Sequence, residues 1–324
     1  MPFLLSDVPA SLGARFTTGE ALRLGVSPHR LSASDLARPF RGVYERGDLH
    51  PEPEAVHPAE AWRRRQRSLA AAFSVAMMPA VFFTGRTAAA LWQLPIPAGL
   101  NDDLEVAVYA PHRAVRRGGI RGSQVRAHLV ELTEVRGMPV ITPASVWAVL
   151  ASGLELRDRV ALGDAVLHRQ RIGGSERVAR QPHATLVDIE RLVDAGPRPG
   201  LHLLRAALPL LTDRAASAPE SHLRLSLSHW GFPTPELDFD VYSSSGVFLG
   251  CSEFAFPEFR VVLEYEGNHH LVHPDQWNRD IEKYHDYASA GWTVVRVTAS
   301  LLYREPTTLR RRIAEALVRG GWQA

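Results

Sequence analysis

Residues 260–267 read Arg-Val-Val-Leu-Glu-Tyr-Glu-Gly, so an apolar run passes into two acids that alternate with Leu263 and Tyr265. Because successive side chains of a strand point to opposite faces, this pattern predicts a strand with Val262, Glu264 and Glu266 on one face. Two carboxylates on one face are costly to bury, so the pair implies a cation, a proton or open solvent between them. Oxygen ligands suit a hard divalent cation, and we favour that interpretation.

The rest of the last hundred residues predicts a mixed sheet with helices on both faces. Short apolar-rich segments predict four strands, and two longer amphipathic segments predict helices. The predicted strands are 236–242, 247–254, 260–265 and 292–298, and the predicted helices are 274–290 and 306–319. The apolar face of the first helix consists of Trp277, Ile281, Tyr284 and Ala288.

Residues 59–211 predict an α/β middle domain, because helical patterns alternate with short strand patterns. No Gly-x-Ser-x-Gly sequence occurs, so nothing favours a serine hydrolase. The predicted helices are 59–77, 87–92, 143–150 and 155–168, and the predicted extended segments are 82–83 and 104–109.

The first fifty residues predict a winged-helix or helix-turn-helix module. Thr17 and Glu20 form a capping box at one helix start, and Ser27 followed by proline predicts the start of a second helix. Residues 38–44 then predict a short hairpin, or wing. If the second helix enters the major groove, four side chains are candidates for contacting DNA, namely His29, Arg30, Ser32 and, in the wing, Arg41. The alternative is a helical hairpin that only packs on the rest of the chain.

Composition narrows the class of protein. The chain has 324 residues, of which 45% are hydrophobic and 22% charged, as in globular proteins of two or three domains. No run of about eighteen apolar residues and no secretion signal are evident, so we expect a cytoplasmic protein that does not bind membranes. A single cysteine, Cys251, excludes an internal disulfide framework.

The formal net charge is only +2, but arginines are clustered along the chain. A guanidinium group can bind phosphate through two donors, so each cluster is either a phosphate-binding surface or a solvated helix face. The clusters comprise Arg63, Arg64, Arg65 and Arg67, then Arg113, Arg116, Arg117 and Arg121, and finally Arg310, Arg311 and Arg312.

Residues 214–324 resemble the Vsr-like branch of the PD-(D/E)XK restriction-endonuclease superfamily, which is related to very-short-patch repair endonucleases. The resemblance consists of several short motifs in the same order. They are Pro219-Glu-Ser221, Gly250 to Pro257 with an acid in the middle, Glu264-Tyr-Glu-Gly267 followed by His270, Trp277 to Lys283, and Gly291-Trp-Thr-Val-Val-Arg296. The resemblance implies an endonuclease fold with Mg2+ or Mn2+ as cofactor.

The same resemblance assigns roles to six residues, which are catalytic candidates. Glu253 and Glu264, with the carbonyl of Tyr265 as a further ligand, would bind the metal ion. Glu220 would support the site, and Glu266 is either a further acid of the site or an exposed hairpin acid. His270 and Lys283 are the two candidates for positioning the attacking water.

Two positions depart from the superfamily pattern. Glu253 replaces the usual aspartate, which keeps the oxygen ligands but lengthens the side chain by one methylene. Glu266 stands where the superfamily lysine usually lies, two residues after the last metal carboxylate. Lys283 is the only lysine of the chain, so it either faces the carboxylates or pairs with Asp280 on the surface.

Residues 1–50 and the middle region resemble AbiEi-type antitoxins, and the wing ending in Gly42-Val-Tyr44 is part of that likeness. The resemblance implies DNA as a partner, together with a toxin or another defence protein encoded in the same operon. We therefore expect a metal-dependent DNA endonuclease with an N-terminal DNA-binding module, acting in phage defence or DNA repair. The alternative is a non-catalytic, antitoxin-like transcriptional regulator with a degenerate nuclease fold.

Overall fold

The chain has a multi-domain α/β architecture of helices and mixed sheets. The computed structural model describes residues 8–47, 57–97, 102–267 and 274–323, and over 274–281 it describes the backbone only. Two compact units are formed, one from Met1–Gly153 with Val187–Leu201, the other from Leu154–Leu186 with His202–Ala324. None of the described helices is long and apolar enough to cross a membrane.

The first unit begins with a small sheet and one helix. Strands β1 (Arg15–Thr17), β2 (Leu36–Phe40) and β3 (Val43–Arg46) form an antiparallel sheet in the order β1-β3-β2. Helix α1 (Thr18–Arg23) starts at the predicted capping box, in which Thr17 Oγ1 and the Glu20 carboxylate each accept from the other residue's backbone N–H. The predicted wing is confirmed as the β2–β3 hairpin.

The predicted second helix is wrong. Only a 3-10 turn, Arg30–Ser32, forms after Ser27, whose hydroxyl still accepts from the Arg30 N–H at 3.1 Å. Leu31 enters the small core beside Phe16, and Ser32 Oγ donates to the Pro28 carbonyl. The following Ser-Ala-Ser-Asp sequence competes for backbone hydrogen bonds and favours turns, so the helix does not continue.

A six-stranded mixed sheet forms the rest of the first unit. Its strand order is β6-β7-β5-β4-β9-β8, with the β5–β7 and β4–β9 pairs parallel. The helices are α2 (Pro58–Ser74), α3 (Gly85–Leu91) and α4 (Pro143–Leu150). The strands are β4 (Val81–Phe83), β5 (Leu104–Tyr109), β6 (Arg116–Arg117), β7 (Ile120–Val125), β8 (Leu132–Val135) and β9 (Met138–Ile141).

The second unit contains a four-stranded sheet with the order β12-β13-β14-β15. The first two pairs are antiparallel and the last is parallel. Its helices are α5 (Leu156–Leu167), α8 (Ala218–His229), α9 (Pro274–Ser289), α10 (Ala299–Tyr303) and α11 (Pro306–Arg319), and its strands are β10 (Gln170–Arg171), β11 (Val178–Arg180), β12 (Glu236–Tyr242), β13 (Phe248–Phe256), β14 (Val261–Glu266) and β15 (Thr293–Thr298). Helices α6 (Leu186–Asp194) and α7 (Leu201–Ala207) begin where the chain passes between the units.

The two faces of this sheet have separate cores, as the mixed-sheet prediction requires. One core joins the sheet to α8 and α11 through residues such as Leu223, Leu263 and Ile313. The other contains Val262 and the fully buried Tyr287 of α9. Ala288, predicted to lie on the apolar face of α9, is instead exposed.

The second unit starts earlier in the chain than the predicted nuclease-like domain, which was placed at 214–324. Helix α5, predicted to belong to the middle domain, is linked to α8 through the buried carboxylate of Asp164. That carboxylate accepts from Ser221 Oγ at 2.7 Å and from Arg224 at 2.8 Å. Because a buried carboxylate is stable only when it is paired and hydrogen-bonded, this contact anchors α5 in the second unit.

Candidate acidic active site

Three acidic side chains and one lysine converge from four elements of the second unit. Glu220 lies in the first turn of α8, where Ser217 caps the helix, and its side chain accepts from the Ala216 N–H at 2.8 Å. Glu253 comes from β13, Glu264 from β14 and Lys283 from α9. The charges of Glu220 and Glu264 both act on Glu253, so the three acids lie within electrostatic range of one another.

Glu253 lies where two neighbouring strands separate. The pairing of β13 with β14 ends at Phe254 and Leu263, whereas β14 continues alongside β15 as far as Glu266. Beyond the last pair, the Glu253 carboxylate accepts from the Tyr265 backbone N–H at 2.7 Å. The side chain therefore replaces a backbone partner and holds its carboxylate in the opening between the strands.

Lys283 faces the carboxylates, which is one of the two positions that the sequence left open for it. Its Nζ lies 3.0 Å from each oxygen of Glu264, which is 6% exposed. Tyr287, one helical turn further along α9, is fully buried, and burial together with the Glu264 charge raises the pKa of its phenol. The Tyr287 hydroxyl has no hydrogen-bond partner within the described part of the chain.

The pKa values of all three carboxyl groups are raised. For Glu253 burial is the main cause, and the charges of Glu220 and Glu264 add to it, so the pKa rises to about 9. Burial also raises the pKa of Glu220, against hydrogen bonds from Ser217 and Ala216. For Glu264 burial outweighs the opposing effect of Lys283. The site therefore binds protons tightly, which is the expected response to crowded, desolvated carboxylates.

The donor set suits a hard divalent cation. Three carboxylates face one ammonium group, so full ionisation leaves two negative charges uncompensated among these four side chains. Carboxylate oxygens are the ligands that Mg2+ and Mn2+ prefer. In the present arrangement, however, no group of three or more His, Cys, Asp or Glu side chains is positioned to hold a metal ion among the described residues. Both Glu264 oxygens instead accept hydrogen bonds from the Lys283 ammonium group.

Glu266 lies beside this cluster rather than in it. Its carboxylate accepts from Tyr284 Oη at 3.0 Å and from Arg296 Nε at 2.6 Å. Arg296 also lies over the Tyr284 ring, with 5.6 Å between the guanidinium carbon and the ring centroid. The charge of Glu266 is thus neutralised by Arg296 of β15, and Tyr284 of α9 adds a hydrogen bond. The Glu266 charge also raises the pKa of Glu264. His270 lies outside the described residues.

The N-terminal candidates are divided between exposed and buried positions. His29 and Ser32 are exposed, and so is Arg41 in the turn of the wing. Arg30 is 6% exposed, and its two terminal nitrogens donate to the two oxygens of Asp35 at 2.8 and 2.6 Å. Arg30 therefore holds the turn to the start of β2 and does not project toward a ligand, contrary to the sequence prediction.

Sequence reasoning missed a second charged network beside the acids. Arg171 of β10 donates to the carboxylates of Asp238 and Asp240, at 2.9 and 2.6 Å. Asp238 also accepts from the Cys251 thiol at 2.8 Å and has a positive φ of 52° opposite β13. Nearly seventy residues separate the arginine from its partners, so no local pattern connected them.

The chain is similar to two proteins of Mycobacterium tuberculosis. They are the uncharacterised protein MT2308 of strain CDC 1551 / Oshkosh and the uncharacterised protein Rv2248 of strain ATCC 25618 / H37Rv. Each is 30% identical over 243 residues, which cover 74% of this chain and 84% of the relative. No family model matches the chain.

Proposed function

This chain belongs to the family of those two mycobacterial proteins, and we propose that its second unit is a metal-dependent endodeoxyribonuclease domain. The observation that carries the proposal is the pair of acids at the point where two strands separate: Glu253 accepts from Tyr265 N–H, Lys283 donates to Glu264, and the charge of Glu220 acts on Glu253. Burying three mutually repelling carboxylates is costly, so a fold that retains them in one place favours a use for them.

Mg2+ or Mn2+ is the proposed cofactor, because carboxylate oxygens are the ligands that these ions prefer. Glu253 and Glu264 would hold the ion, with the carbonyl of Tyr265 as a further ligand, and the ion would polarise the scissile phosphate and acidify a water molecule. Glu220 would support the site from the start of α8. Because both Glu264 oxygens accept from the Lys283 ammonium group, an ion held there would compete with Lys283 for them.

Lys283 and His270 have different roles in this proposal. The Lys283 ammonium lies against Glu264, where it can orient a water molecule or neutralise a phosphate oxygen. A neutral imidazole at His270 would accept the proton of that water. Substituting each residue in turn distinguishes the two roles. Loss of an imidazole base removes a limb of the pH–rate profile near neutral pH, whereas loss of Lys283 lowers the rate without moving that limb.

A second candidate function is a DNA-binding regulator without catalysis, paired with a toxin or defence protein from the same operon. One observation favours it: the bidentate ion pair between Lys283 and Glu264 already compensates the carboxylate that a metal ion would need. A buried carboxylate that is neutralised internally binds metal more weakly, since the ion must compete with the ammonium group.

The deciding experiment is cleavage of supercoiled and single-stranded DNA by the full chain across Mg2+ and Mn2+ concentrations. Glu264→Gln should lower the rate at least about 100-fold, because even outer partners of a metal site are worth roughly 10–100-fold. Glu258→Gln is the matched control, since this exposed acid lies in the turn between β13 and β14. Metal-independent cleavage, or equal rates for both variants, would reject the proposal, and no cleavage by the unaltered chain favours the regulator.

A further inference from the structure

An arginine-lined cavity lies in the first unit, at a distinct location from the acidic cluster of the second. The wing, the end of α2 and the segment before β7 enclose a volume of about 1250 Å3. Five arginines contribute to its lining, namely Arg38, Arg41, Arg113, Arg116 and Arg117, and among the described residues no Asp or Glu does. We call this site the arginine groove.

Two of the arginines build the wall of the groove. Arg117 donates to the Arg41 carbonyl oxygen, and its guanidinium lies over the rings of Phe40 and Phe73, 5.9 and 5.7 Å from their centroids. Arg38 donates to a backbone carbonyl at 2.7 Å and lies over a tyrosine ring. The Arg117 contacts fix the wing against α2 and the six-stranded sheet, whereas the Arg38 contacts lie within the N-terminal sheet and turn, so this wall of the groove is preformed.

The other three arginines face solvent without a counter-charge. Arg41, Arg113 and Arg116 are exposed, and none forms an ion pair with any part of the chain that the structure describes. Arg113 and Arg116 also line a smaller adjoining cavity of about 420 Å3, together with Gln124. The cations therefore form a strip that continues from the wing toward β7. A concave cationic surface without acids concentrates anions.

Close packing of the backbone fixes the position of residues 113–117, the segment that carries Arg113 and Arg116. Gly122 of β7 lies so near the preceding segment that a Cβ there would be 2.7 Å from the Val115 nitrogen and still closer to its carbonyl oxygen. Gly119 has a φ of 76°, and a Cβ there would lie 3.2 Å from the Phe40 ring. The two glycines let residues 113–117 run tightly against the sheet, which holds Arg113 and Arg116 at defined positions.

The chemistry of the lining favours a nucleic-acid backbone over exposed bases. Guanidinium groups bind phosphate oxygens through paired donors. Proteins that hold single strands add aromatic rings on which bases stack. Here Phe40 and Phe73 are 6% and 3% exposed and are covered by Arg117, so neither ring offers a stacking surface.

We infer that the arginine groove binds the phosphate backbone of duplex DNA and is the main DNA contact of the first unit, through Arg41, Arg113 and Arg116. The inference extends the proposal that the chain acts on DNA but does not depend on hydrolysis by the second unit. The DNA contact then lies in the groove and not in the turn that contains the buried Arg30, where the sequence predicted it.

The test is equilibrium binding of the full chain to a fluorescent duplex of about 30 base pairs, in EDTA and over a series of salt concentrations. In Arg113→Gln/Arg116→Gln, affinity should fall roughly 10- to 100-fold near physiological salt. The slope of log affinity against log salt should decrease by about 2, since each lost phosphate contact removes about 0.9. Arg23→Gln/Arg126→Gln is the matched control, because it removes two exposed charges of the same unit outside the groove. Arg41→Gln alone should give about half the change in slope.

Unchanged affinity and slope in Arg113→Gln/Arg116→Gln, or equal losses in the control, would overturn the inference. So would a loss confined to single-stranded DNA or RNA, which would assign the groove to a different nucleic acid. Circular dichroism and melting temperature verify that each variant folds. Because binding is measured without metal, a chain that binds duplex through the groove but never cleaves it disproves only the nuclease proposal, and cleavage without groove binding disproves only this inference.

Discussion

The first unit carries an exposed, cationic surface in the arginine groove, whereas the second unit carries a buried, anionic cluster around Glu264. Arg41, Arg113 and Arg116 keep their hydration, so the lack of an ion-pair partner among the described residues costs little free energy. Glu253 and Glu264 are desolvated, and the cost appears as raised pKa values. An exposed cationic surface adds little to the free energy of unfolding, whereas protonation of buried carboxylates is linked to it.

Removing the lysine of the acidic cluster should have the largest effect on stability. Lys283→Met leaves the Glu264 carboxylate buried without its ammonium partner, so we expect a loss of about 3 kcal/mol in the free energy of unfolding. The loss should be greatest at alkaline pH, where Glu264 is ionised, and smaller at acidic pH. Urea denaturation at pH 5 and pH 8 measures it.

The control for this prediction is Glu264→Gln/Lys283→Met, which removes both charges and should recover most of the loss. Added Mg2+ should also stabilise Lys283→Met more than the unaltered chain if the carboxylates bind a cation. Equal stability of Lys283→Met and the unaltered chain at both pH values would mean that the ion pair contributes nothing.

A substitution in the first unit should have the next largest effect. Gly122→Ala places a Cβ against the Val115 backbone, which cannot yield as a flexible side chain would, so we expect a cost of about 2 kcal/mol. Displacing Val115 should also displace Arg116 and weaken duplex binding. Gly118→Ala is the control, since a Cβ there meets nothing within 4 Å. Thermal denaturation and duplex binding measure the two effects, and duplex binding that Gly122→Ala leaves intact would argue against a preformed groove.

Titration of the acidic cluster should have the smallest effect. The folded pKa of Glu253, about 9, exceeds its ordinary value of 4.5, so the folded state holds the proton more tightly. Its contribution to stability is therefore fully present below pH 4.5 and is lost as pH rises toward 9. Allowing for the partial exposure of this side chain, we expect a difference of about 1 kcal/mol between pH 5 and pH 8. Glu253→Gln should flatten the pH dependence of the melting temperature, and an unchanged profile would show that another group titrates.

Local sequence patterns were sufficient to predict elements whose first and last residues are set by nearby capping or turn residues. Helix α4 begins after Thr142, whose hydroxyl accepts from Ser145 N, and it ends at Leu150 as predicted. Helix α11 also has the predicted bounds, Pro306–Arg319. Strand β14 begins one residue later than predicted because Arg260 adopts a left-handed conformation, with φ of 50°. Capping and periodicity are encoded within a few residues, so sequence reasoning can detect them.

The partners of charged side chains could not be predicted in the same way. The burial of Arg30 depends on how its turn meets Asp35, and the placement of α5 depends on the contact between Asp164 and Ser221. For the acidic cluster, the shared face of Glu264 and Glu266 could be predicted, but their separate partners could not. Charge pairing is decided by tertiary geometry, which a periodic pattern does not encode.

The solitary lysine makes the acidic cluster directly observable by spectroscopy. Lys283 is the only lysine among the 324 residues, so isotopic labelling of lysine yields one side-chain amine NMR signal. That signal comes from the ammonium group that donates hydrogen bonds to Glu264. Changes in that signal with pH would report the protonation of the neighbouring acids, and changes with Mg2+ would report competition for the carboxylate. Amine-selective reagents would likewise act at this site and at the chain's α-amino group alone.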